Sequence, residues 1–322
     1  MHFGWSGDKE KLFELFPEIE KRLLADTNAM TEKMRKRGGG ILGMRLIDYT
    51  AQIPDYYQIR VEFGTGDAMG ANFINSALEQ FGHSLQDFLA EQKDLPEELR
   101  KVEIIMTILS NNTPDCRVKV WVECPVEQLD GIDEHLSGAE YAKKFKKAVD
   151  IAHIDVDRAT THNKGIYNGI DAVVLATGND FRAVEAAGHT FASRNGHYES
   201  LSTVTIENGI FHFELEVPMA LGTVGGLTSL HPLAKKTLEL LGNPTAKELM
   251  MIAATMGLAN NFSAVRSLTT KGIQAGHMKM HLNNILNQLN ATDEEKRQAR
   301  EYFKDKTVSY AEVEKFLESL RK

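Results

Sequence analysis

Residues 57–63, Y-Q-I-R-V-E-F, alternate apolar and polar side chains along the whole stretch. This period of two is typical of an antiparallel strand with one face buried and the other exposed. Just upstream, Gly38-Gly39-Gly40 ends a helix that we predict over residues 27–36, because consecutive glycines disfavour a helix and tolerate positive φ. Residues 41–49 then form a second predicted strand.

The elements around these strands give the first third of the chain an α+β order. Apolar side chains at helical spacing indicate a first helix with Leu12, Phe13, Phe16, Leu23 and Leu24. A helix over residues 67–81 and strands at residues 102–109 and 118–122 are also predicted, which together suggest a small open-faced sandwich. The pattern then changes to long helices and glycine-punctuated strands, so we predict a domain boundary at residues 124–130.

Two features define local structure in the second part of the chain. Asn208-Gly209 separates alternating stretches at residues 204–206 and 211–217, which predicts a tight two-stranded hairpin. Capping boxes predict helix starts at Thr245/Glu248, Thr292/Glu295 and Ser309/Glu312. The last ~50 residues are therefore expected to form a helical subdomain.

The composition is that of an ordinary globular protein. The chain has 322 residues, 42% hydrophobic and 25% charged, enough for two domains or for one large domain carrying a smaller one. Its net charge of -8 gives no overall attraction to nucleic acid or to an anionic membrane. Cys116 and Cys124 are too few for a disulfide framework, and no apolar run reaches membrane-spanning length. We expect a soluble cytoplasmic protein that binds no nucleic acid, membrane or metal.

The segment D-A-M-G-A-N, residues 67–72, follows a predicted strand and opens a helix. Asp67 is a suitable N-cap, and Gly70 permits close backbone approach. Free N–H groups at a helix start attract phosphate, so the candidate nucleotide-binding residues are Asp67, Ala68, Met69, Gly70 and Asn72. Taken alone, the segment is more simply explained as an ordinary capped helix start.

A second glycine-rich segment is G-T-V-G-G, residues 222–226, which follows the predicted hairpin. Gly222, Gly225 and Gly226 could present backbone donors to a pyrophosphate or a nicotinamide. Tight packing of a loop accounts for these glycines about equally well.

A third segment, H-N-K-G-I-Y-N-G-I-D at residues 162–171, gathers Lys, Asn and Asp side chains around two predicted turns, and A-T-G-N-D follows at residues 176–180. Lys164 and Asp180 are candidates for chemistry, although a solvated lysine and a helix-capping aspartate are the ordinary alternatives. A pair of histidines four residues apart, His277 and His281, has metal-ligand spacing but lacks the H-E-x-x-H glutamate. A zinc hydrolase is therefore disfavoured.

Together and in this order, these segments and G-H-M at residues 276–278 resemble the class II 3-hydroxy-3-methylglutaryl-CoA reductase family. The resemblance spans nearly the whole chain. It implies an α+β fold with a ferredoxin-like small cofactor-binding domain at residues 1–125. A larger substrate-binding and catalytic domain at residues 126–272 and a helical C-terminal flap at residues 273–322 are implied as well. It also implies active sites that form across a homodimer or a higher homo-oligomer.

The resemblance further implies a reaction, the reduction of the thioester of 3-hydroxy-3-methylglutaryl-CoA to mevalonate and free CoA with two nicotinamide hydrides. Lys164 would stabilise the oxyanion that forms as hydride arrives. Asp180 would orient Lys164 and favour its charged form. His277 would protonate the departing CoA thiolate, a task that suits its near-neutral intrinsic pKa.

The same resemblance assigns Arg158 and Asn168 to the carboxylate and polar groups of the substrate, and places His281 near CoA. For the cofactor we expect NADPH, with NADH as the alternative. The strand after the glycine triplet offers Arg45 to a 2′-phosphate and has no acid before Asp48.

The chain departs from the family pattern at its start, where an E-N-V-I-G-type segment is absent. In family members the glutamate of that segment joins the lysine and the aspartate, so we expect these 322 residues alone to be a poor catalyst. The alternative function is a non-catalytic homologue that binds cofactor, or that needs a partner chain carrying the missing glutamate segment. Lys164, Asp180 and His277 favour chemistry.

Overall fold

A computed structural model describes residues 1–270, 273–304, 306 and 308–321, with the backbone alone for Ser229 and residues 273–280. The chain divides into two compact units, each assembled from separate segments. The first unit consists of Met1–Val120, Ile170–His197 and Glu216–Met256. The second unit consists of Trp121–Gly169, Tyr198–Leu215 and Gly257–Lys322.

The first unit begins with four strands and three helices, and their order is β-α-β-β-α-β when the consecutive helices α1 and α2 are counted as one helical segment. They are β1 (His2–Gly4), α1 (Lys9–Asp26), α2 (Asn28–Arg35), β2 (Gly40–Asp48), β3 (Tyr56–Gly64), α3 (Ala71–Glu91) and β4 (Glu103–Met106). The strands form an antiparallel sheet in the order β2-β3-β1-β4. The predicted strands at residues 41–49 and 57–63 are confirmed, whereas the strand predicted over residues 102–109 is shorter.

The alternation in β3 directs every second side chain into the core of the first unit. Tyr57 and Ile59 are each 1% exposed, and the intervening Gln58 is half-buried. They pack in one cluster with Phe3 of β1 and Phe81 of α3. Burying such a side chain contributes about 1.5–3 kcal/mol, so the face of the sheet that packs against the helices is a main source of stability.

The remaining elements belong to both units. They are β5 (Arg117–Pro125), α4 (Gly138–Ile154), α5 (Val156–Ala176), α6 (Phe181–Ala192), β6 (Ser202–Glu207), β7 (Ile210–Pro218), α7 (Gly226–Leu230), α8 (Pro232–Leu240), α9 (Ala246–Thr269), α10 (Ile273–Gln288), α11 (Asp293–Tyr302) and α12 (Tyr310–Leu320). A second sheet has the order β5-β7-β6.

The predicted Asn-Gly hairpin is confirmed. Asn208 and Gly209 have φ values of 50° and 78°, and Glu207 pairs with Ile210 across the turn. Positive φ at both central residues is the geometry that favours Asn-Gly in two-residue hairpin loops.

Phe145 of α4 holds this hairpin in the core of the second unit. Its ring meets Phe211 and Phe213 of β7 edge-on, with centroids 5.5 and 5.3 Å away. Phe262 of α9 lies 5.2 Å from the same ring. Edge-to-face pairs contribute about 0.5–1.5 kcal/mol beyond the area that they bury, so this cluster fixes α4 and α9 on the hairpin.

Side-chain caps set several helix starts. Reciprocal hydrogen bonds confirm two of the predicted capping boxes, Thr245/Glu248 and Thr292/Glu295. At the third, the hydroxyl of Ser309 accepts from the N–H of Glu312. A further box of Ser137 and Glu140, which was not predicted, begins α4.

The C-terminal part of the chain is helical, as the capping boxes predict. α10, α11 and α12 surround a cluster of buried side chains that includes Leu282, Leu286, Phe303, Val313 and Leu317. Over the part of the chain that the structure describes, no helix combines the length and the apolar character needed to cross a membrane.

The prediction of two turns at residues 162–171 is wrong, because the segment lies inside α5. The buried Ile166, Ile170 and Val174 recur every four residues. That apolar face outweighs the helix penalty of about 1 kcal/mol for each of the two glycines in the segment. Leu175, which was expected in a buried run, lies on the outer face of the helix and is 56% exposed.

Two carboxyl groups of the first unit meet between helices, Asp171 on α5 and Glu185 on α6. Burial, the charge of Glu185 and a hydrogen bond with Glu185 raise the pKa of Asp171 to about 7. The Oδ1 atom of Asp171 is buried and has no hydrogen-bond partner among the described residues. Asp171 therefore holds a proton more tightly in the folded chain than in the unfolded one.

We expect Asp171→Asn to stabilise the protein at pH 8 relative to the wild type, and to do so less at pH 5. An unfolded aspartate has a pKa of about 3.9. Because the folded pKa is raised to about 7, the wild type loses stability as the pH rises through that interval, and asparagine does not. After allowance for solvent screening we expect a pH-dependent difference of about 1–2 kcal/mol, measured by urea unfolding. Asp87→Asn, at an exposed position of α3, is the control. A wild-type-minus-variant difference that does not change with pH would contradict the assignment.

Candidate active site

Three of the segments singled out in the sequence meet in the first unit, with Gly222 at their centre. The side-chain amide of Asn179 accepts from the Gly222 N–H over 2.8 Å and donates to the Gly222 carbonyl over 3.0 Å. On its other side, a Cβ on Gly222 would lie 2.6 Å from the backbone nitrogen of Met69. Glycine is required here because two backbones approach closely.

Asp67 links the same junction to α9. Its carbonyl accepts from the N–H groups of Thr223 and Val224 over 2.9 and 3.3 Å. Its carboxylate accepts from the N–H of Ala246 over 2.8 Å. The prediction that Asp67 caps its own helix is therefore wrong, since its carboxylate binds the first N–H of a distant helix instead.

The N-terminus of α3 has no side-chain cap. Its N-cap is Gly70, whose φ of 82° is a left-handed conformation, and the helix starts with Ala71 and Asn72. A Cβ on Gly70 would lie 2.6 Å from Cγ2 of Thr65. The first-turn N–H groups, at the positive end of the helix dipole, therefore favour an anion.

A small cleft of about 50 Å³ borders this junction. Its walls are Met69, Ala71, Ile74, Leu109, Ser110, Asn111, Thr113, Ala183 and Ala220. The hydroxyl oxygen of Thr113 is buried and has no partner among the described residues. The lining of this cleft is mainly apolar and carries few polar groups.

Gly225 and Gly226 lie at the start of α7 with φ values of 82° and 53°. A Cβ on either would meet nothing within 4 Å, so the backbone conformation and not crowding accounts for these glycines. Their predicted contact with a cofactor stays a prediction.

Asp180 begins α6. Its carboxylate accepts from the N–H groups of Arg182 and Ala183 over 3.1 and 3.3 Å. The guanidinium of Arg182 also donates to both carboxylate oxygens over 3.1 Å. The hydrogen bond from Arg182 holds the pKa of Asp180 below its usual range, so the carboxylate is charged and suits orientation of a cation. Asp180 caps a helix, as the ordinary alternative predicted, and its catalytic role stays a prediction.

Lys164 and Asn168 belong to the second unit. They are exposed and stand four residues apart on α5, so they face the same side of the helix. Arg158 stands six residues before Lys164, about 120° away around the helix. Its side chain is half-buried, and burial lowers its pKa despite the nearby charge of Asp155.

Two buried side chains precede Lys164, namely His162 at 1% and Asn163 at 0% exposure. The Nε2 atom of His162 lies 2.7 Å from the hydroxyl of Ser202, which itself donates to Oδ1 of Asn261 over 2.9 Å. The imidazole therefore donates through Nε2, and its buried Nδ1 has no partner among the described residues. Burial and neighbouring positive charges lower the pKa of His162 to about 3, so it is neutral and is a structural group.

The two remaining predicted residues lie in α10. The side chain of His277 lies outside the described residues, and His281 is exposed. Among the described side chains, no three His, Cys, Asp or Glu residues are arranged to hold a metal ion.

The residues missed from the sequence are two amides, the buried Asn163 and the half-buried Asn179. Both lie in segments that were singled out. A signal was available for Asn163, because it stands three and seven residues before Ile166 and Ile170 on the buried face of α5. No comparable signal exists for Asn179, whose partner is Gly222.

A family model described as hydroxymethylglutaryl-coenzyme A reductase matches residues 3–282. A 3-hydroxy-3-methylglutaryl-coenzyme A reductase of Archaeoglobus fulgidus is 38% identical over 232 residues, which are 71% of this chain and 48% of that protein. A probable 3-hydroxy-3-methylglutaryl-coenzyme A reductase of Borreliella burgdorferi is 32% identical over 285 residues, 87% of this chain and 62% of that protein. The chain thus spans about half the length of these relatives.

The similarity to solved structures extends over a larger share of the matched chains. A class II 3-hydroxy-3-methylglutaryl-CoA reductase from Streptococcus pneumoniae, bound to NADPH in open conformations, has a TM-score of 0.71 and 34% identity, covering 100% of this chain and 75% of that chain. Another structure of the reductase from this organism has a TM-score of 0.74 and 34% identity, covering 99% and 73%.

We expect Gly222→Ala to lower the free energy of unfolding by about 1–3 kcal/mol, because the new methyl group would force two backbones apart. Denaturant unfolding followed by the fluorescence of Trp5, buried in the same unit, measures the change. The control is Gly43→Ala, whose Cβ would meet a carboxylate oxygen of Glu62 at 3.9 Å. Equal unfolding midpoints for the two variants would show that the approach at Gly222 is not tight.

Proposed function

Because this chain belongs to the hydroxymethylglutaryl-coenzyme A reductase family, we propose that it reduces 3-hydroxy-3-methylglutaryl-CoA to mevalonate and free CoA with two NADPH. The observation that carries this proposal is the family match over residues 3–282, which includes all the segments of the candidate site. The two units offer matching chemistry. The first has a cleft beside an uncapped helix start, and the second has an exposed lysine.

The first unit binds the cofactor in this proposal. The start of α3 has no side-chain cap, so its first-turn N–H groups suit a pyrophosphate. The contacts come from Asp67, Ala68, Met69, Gly70 and Asn72, with Gly222, Gly225 and Gly226. When bound, NADPH supplies the hydride. The binding of NADPH by a Streptococcus pneumoniae relative supports this choice over NADH.

Selectivity for the phosphorylated cofactor rests on Arg45 in this proposal. Its guanidinium lies 3.7 Å from a carboxylate oxygen of Glu62, and both side chains are more than half exposed. Such a surface pair contributes about 0–1 kcal/mol, so little is lost when Arg45 turns to a 2′-phosphate.

Lys164 is the catalytic cation. Its ammonium group stabilises negative charge on the carbonyl oxygen of the substrate, and a fixed charge does so without reorganisation during the reaction. Asp180 is the second catalytic residue of this proposal. The hydrogen bond from Arg182 lowers its pKa and keeps its carboxylate charged.

Arg158 and Asn168 bind the substrate. The half-buried guanidinium of Arg158 is stabilised by an incoming carboxylate, because burial disfavours an unpaired charge. His277 delivers the proton to the departing thiolate of CoA, and His281 lies near CoA.

For the architecture, we propose a ferredoxin-like small domain at residues 1–125, a larger domain at residues 126–272 and a C-terminal flap at residues 273–322. The β2-β3-β1-β4 sheet with its β-α-β-β-α-β order supports the first of these. We also propose that the protein is cytoplasmic.

The protein acts as a homodimer in this proposal. A row of exposed leucines on α7 and α8 supports self-association. Leu230 and Leu233 are 80% and 71% exposed, and Leu240 is 79% exposed. Monomeric proteins rarely leave a contiguous apolar patch of this kind in water.

The proposed reaction is tested with mevalonate formation from 3-hydroxy-3-methylglutaryl-CoA and NADPH. We expect Lys164→Ala to lower kcat by about 100–1,000-fold, and Lys143→Ala, an exposed lysine of α4, to leave it unchanged. His277→Gln should abolish this reaction but spare the reduction of mevaldehyde, which needs no thiolate protonation. Equal turnover by Lys164→Ala and by the wild type would show that Lys164 is not the catalytic cation. A chain that binds NADPH but forms no mevalonate even when a family-type E-N-V-I-G segment is supplied would sink the reductase assignment.

The proposed dimer is tested by sedimentation. We expect Leu230→Glu with Leu233→Glu to weaken self-association by about 30-fold or more, because an unpaired carboxylate buried at an interface costs about 2 kcal/mol or more. The control is Leu42→Glu, at a position of β2 that is 71% exposed. If the double variant sediments as the wild type does, the leucine row is not the interface.

A further inference from the structure

The turn of α5 that carries Lys164 is tied down on its buried side by one amide. The Nδ2 atom of Asn163 donates to the carbonyl of Glu199 over 2.9 Å, and its Oδ1 accepts from the N–H of Leu201 over 3.0 Å. The hydroxyl of Tyr198 also hydrogen-bonds to the Asn163 side chain. One fully buried side chain therefore joins the helix to the segment that leads into β6.

The residues on either side reinforce this attachment. His162 donates to the hydroxyl of Ser202, in the strand that follows that segment. On the other side, the amide of Asn260 in α9 donates to the carbonyl of Gly165. Thus the three neighbours of Lys164 are each held in place, while Lys164 itself extends from the exposed face.

We propose that Asn163 is a positioning residue for Lys164, because it fixes the height and rotation of the helical turn from which the ammonium extends. This inference rests on the proposed function, in which Lys164 stabilises the oxyanion of the substrate. A lysine has a flexible four-carbon side chain, so the place of its charge depends on the backbone that carries it. A displacement of about 1 Å in a reacting group costs about 100-fold in rate.

There is also a physical reason why the buried side chain at position 163 is polar. The carbonyl of Glu199 accepts one hydrogen bond from Asn163, and the N–H of Leu201 donates one to it. An apolar side chain at this position would fill the same helix face and leave both backbone groups without that partner, which destabilises the folded chain. Because His162 is neutral at ordinary pH, the adjoining hydrogen bond persists over the same range.

A double-mutant cycle tests the proposal through turnover. We expect Asn163→Ala to lower kcat about 10–100-fold and to leave the KM for NADPH unchanged. In the Lys164→Ala background, Asn163→Ala should cause no further loss, because a positioning residue acts through the group that it positions. The same fold-loss in both backgrounds would mean that Asn163 acts independently of Lys164, and the proposal would be wrong.

A second measurement does not depend on turnover. Limited acetylation with acetic anhydride, followed by mass spectrometry, gives the reactivity of Lys164 relative to Lys143 in the folded chain. We expect Asn163→Ala to change this ratio by about threefold or more, since access and proton affinity of an amine follow its surroundings. Val149→Ala, which opens a cavity at a fully buried position of α4, should destabilise the unit and leave the ratio unchanged.

The two measurements separate the two hypotheses. An unchanged ratio in Asn163→Ala overturns the positioning role, whatever the chain catalyses. If Asn163→Ala changes the ratio but the wild-type chain forms no mevalonate, the positioning of Lys164 is supported. Only the proposed reaction is then contradicted.

Discussion

The close approach of two backbones at Gly222 is the constraint on which the candidate site in the first unit depends. A single Cβ at this position would overlap the nitrogen of Met69. Asn179 secures the other side of Gly222 with two hydrogen bonds, and Asp67 joins the loop to α9. Segments far apart in the chain are thereby held together without a large hydrophobic side chain, which leaves the adjoining cleft open.

In the second unit, the two faces of α5 differ in the polar side chains that they carry. Its buried face combines Ile166 and Ile170 with the polar Asn163, and its outer face carries Lys164 and Asn168. A satisfied buried amide specifies one register more sharply than apolar packing does, because any other register leaves it unpaired.

Short-range patterns in the sequence predicted much of the fold. The strands of the first sheet and the Asn208-Gly209 hairpin follow from period-two alternation and from turn chemistry, and both arise from neighbouring residues. The helix at residues 162–171 was missed because two glycines suggested turns, and the apolar spacing outweighs them. For Asp67 the sequence could not succeed, because its carboxylate binds the N–H of Ala246, 179 residues away. Three of the motif segments meet at Gly222, but what each asparagine contacts depends on tertiary structure.

The discontinuous first unit also shapes how the chain folds during synthesis. Its sheet pairs β1 with β4, and its last segment ends at Met256, so most of the chain has to be made before the unit closes. The hairpin of β6 and β7 forms locally, in about 1–10 μs once it is free of the ribosome. At about 5–20 residues per second, the stretch between β4 and Met256 takes on the order of ten seconds to synthesise. The core of the early sheet, however, consists only of residues 1–104, so it can close while the later segments of the unit are still being made.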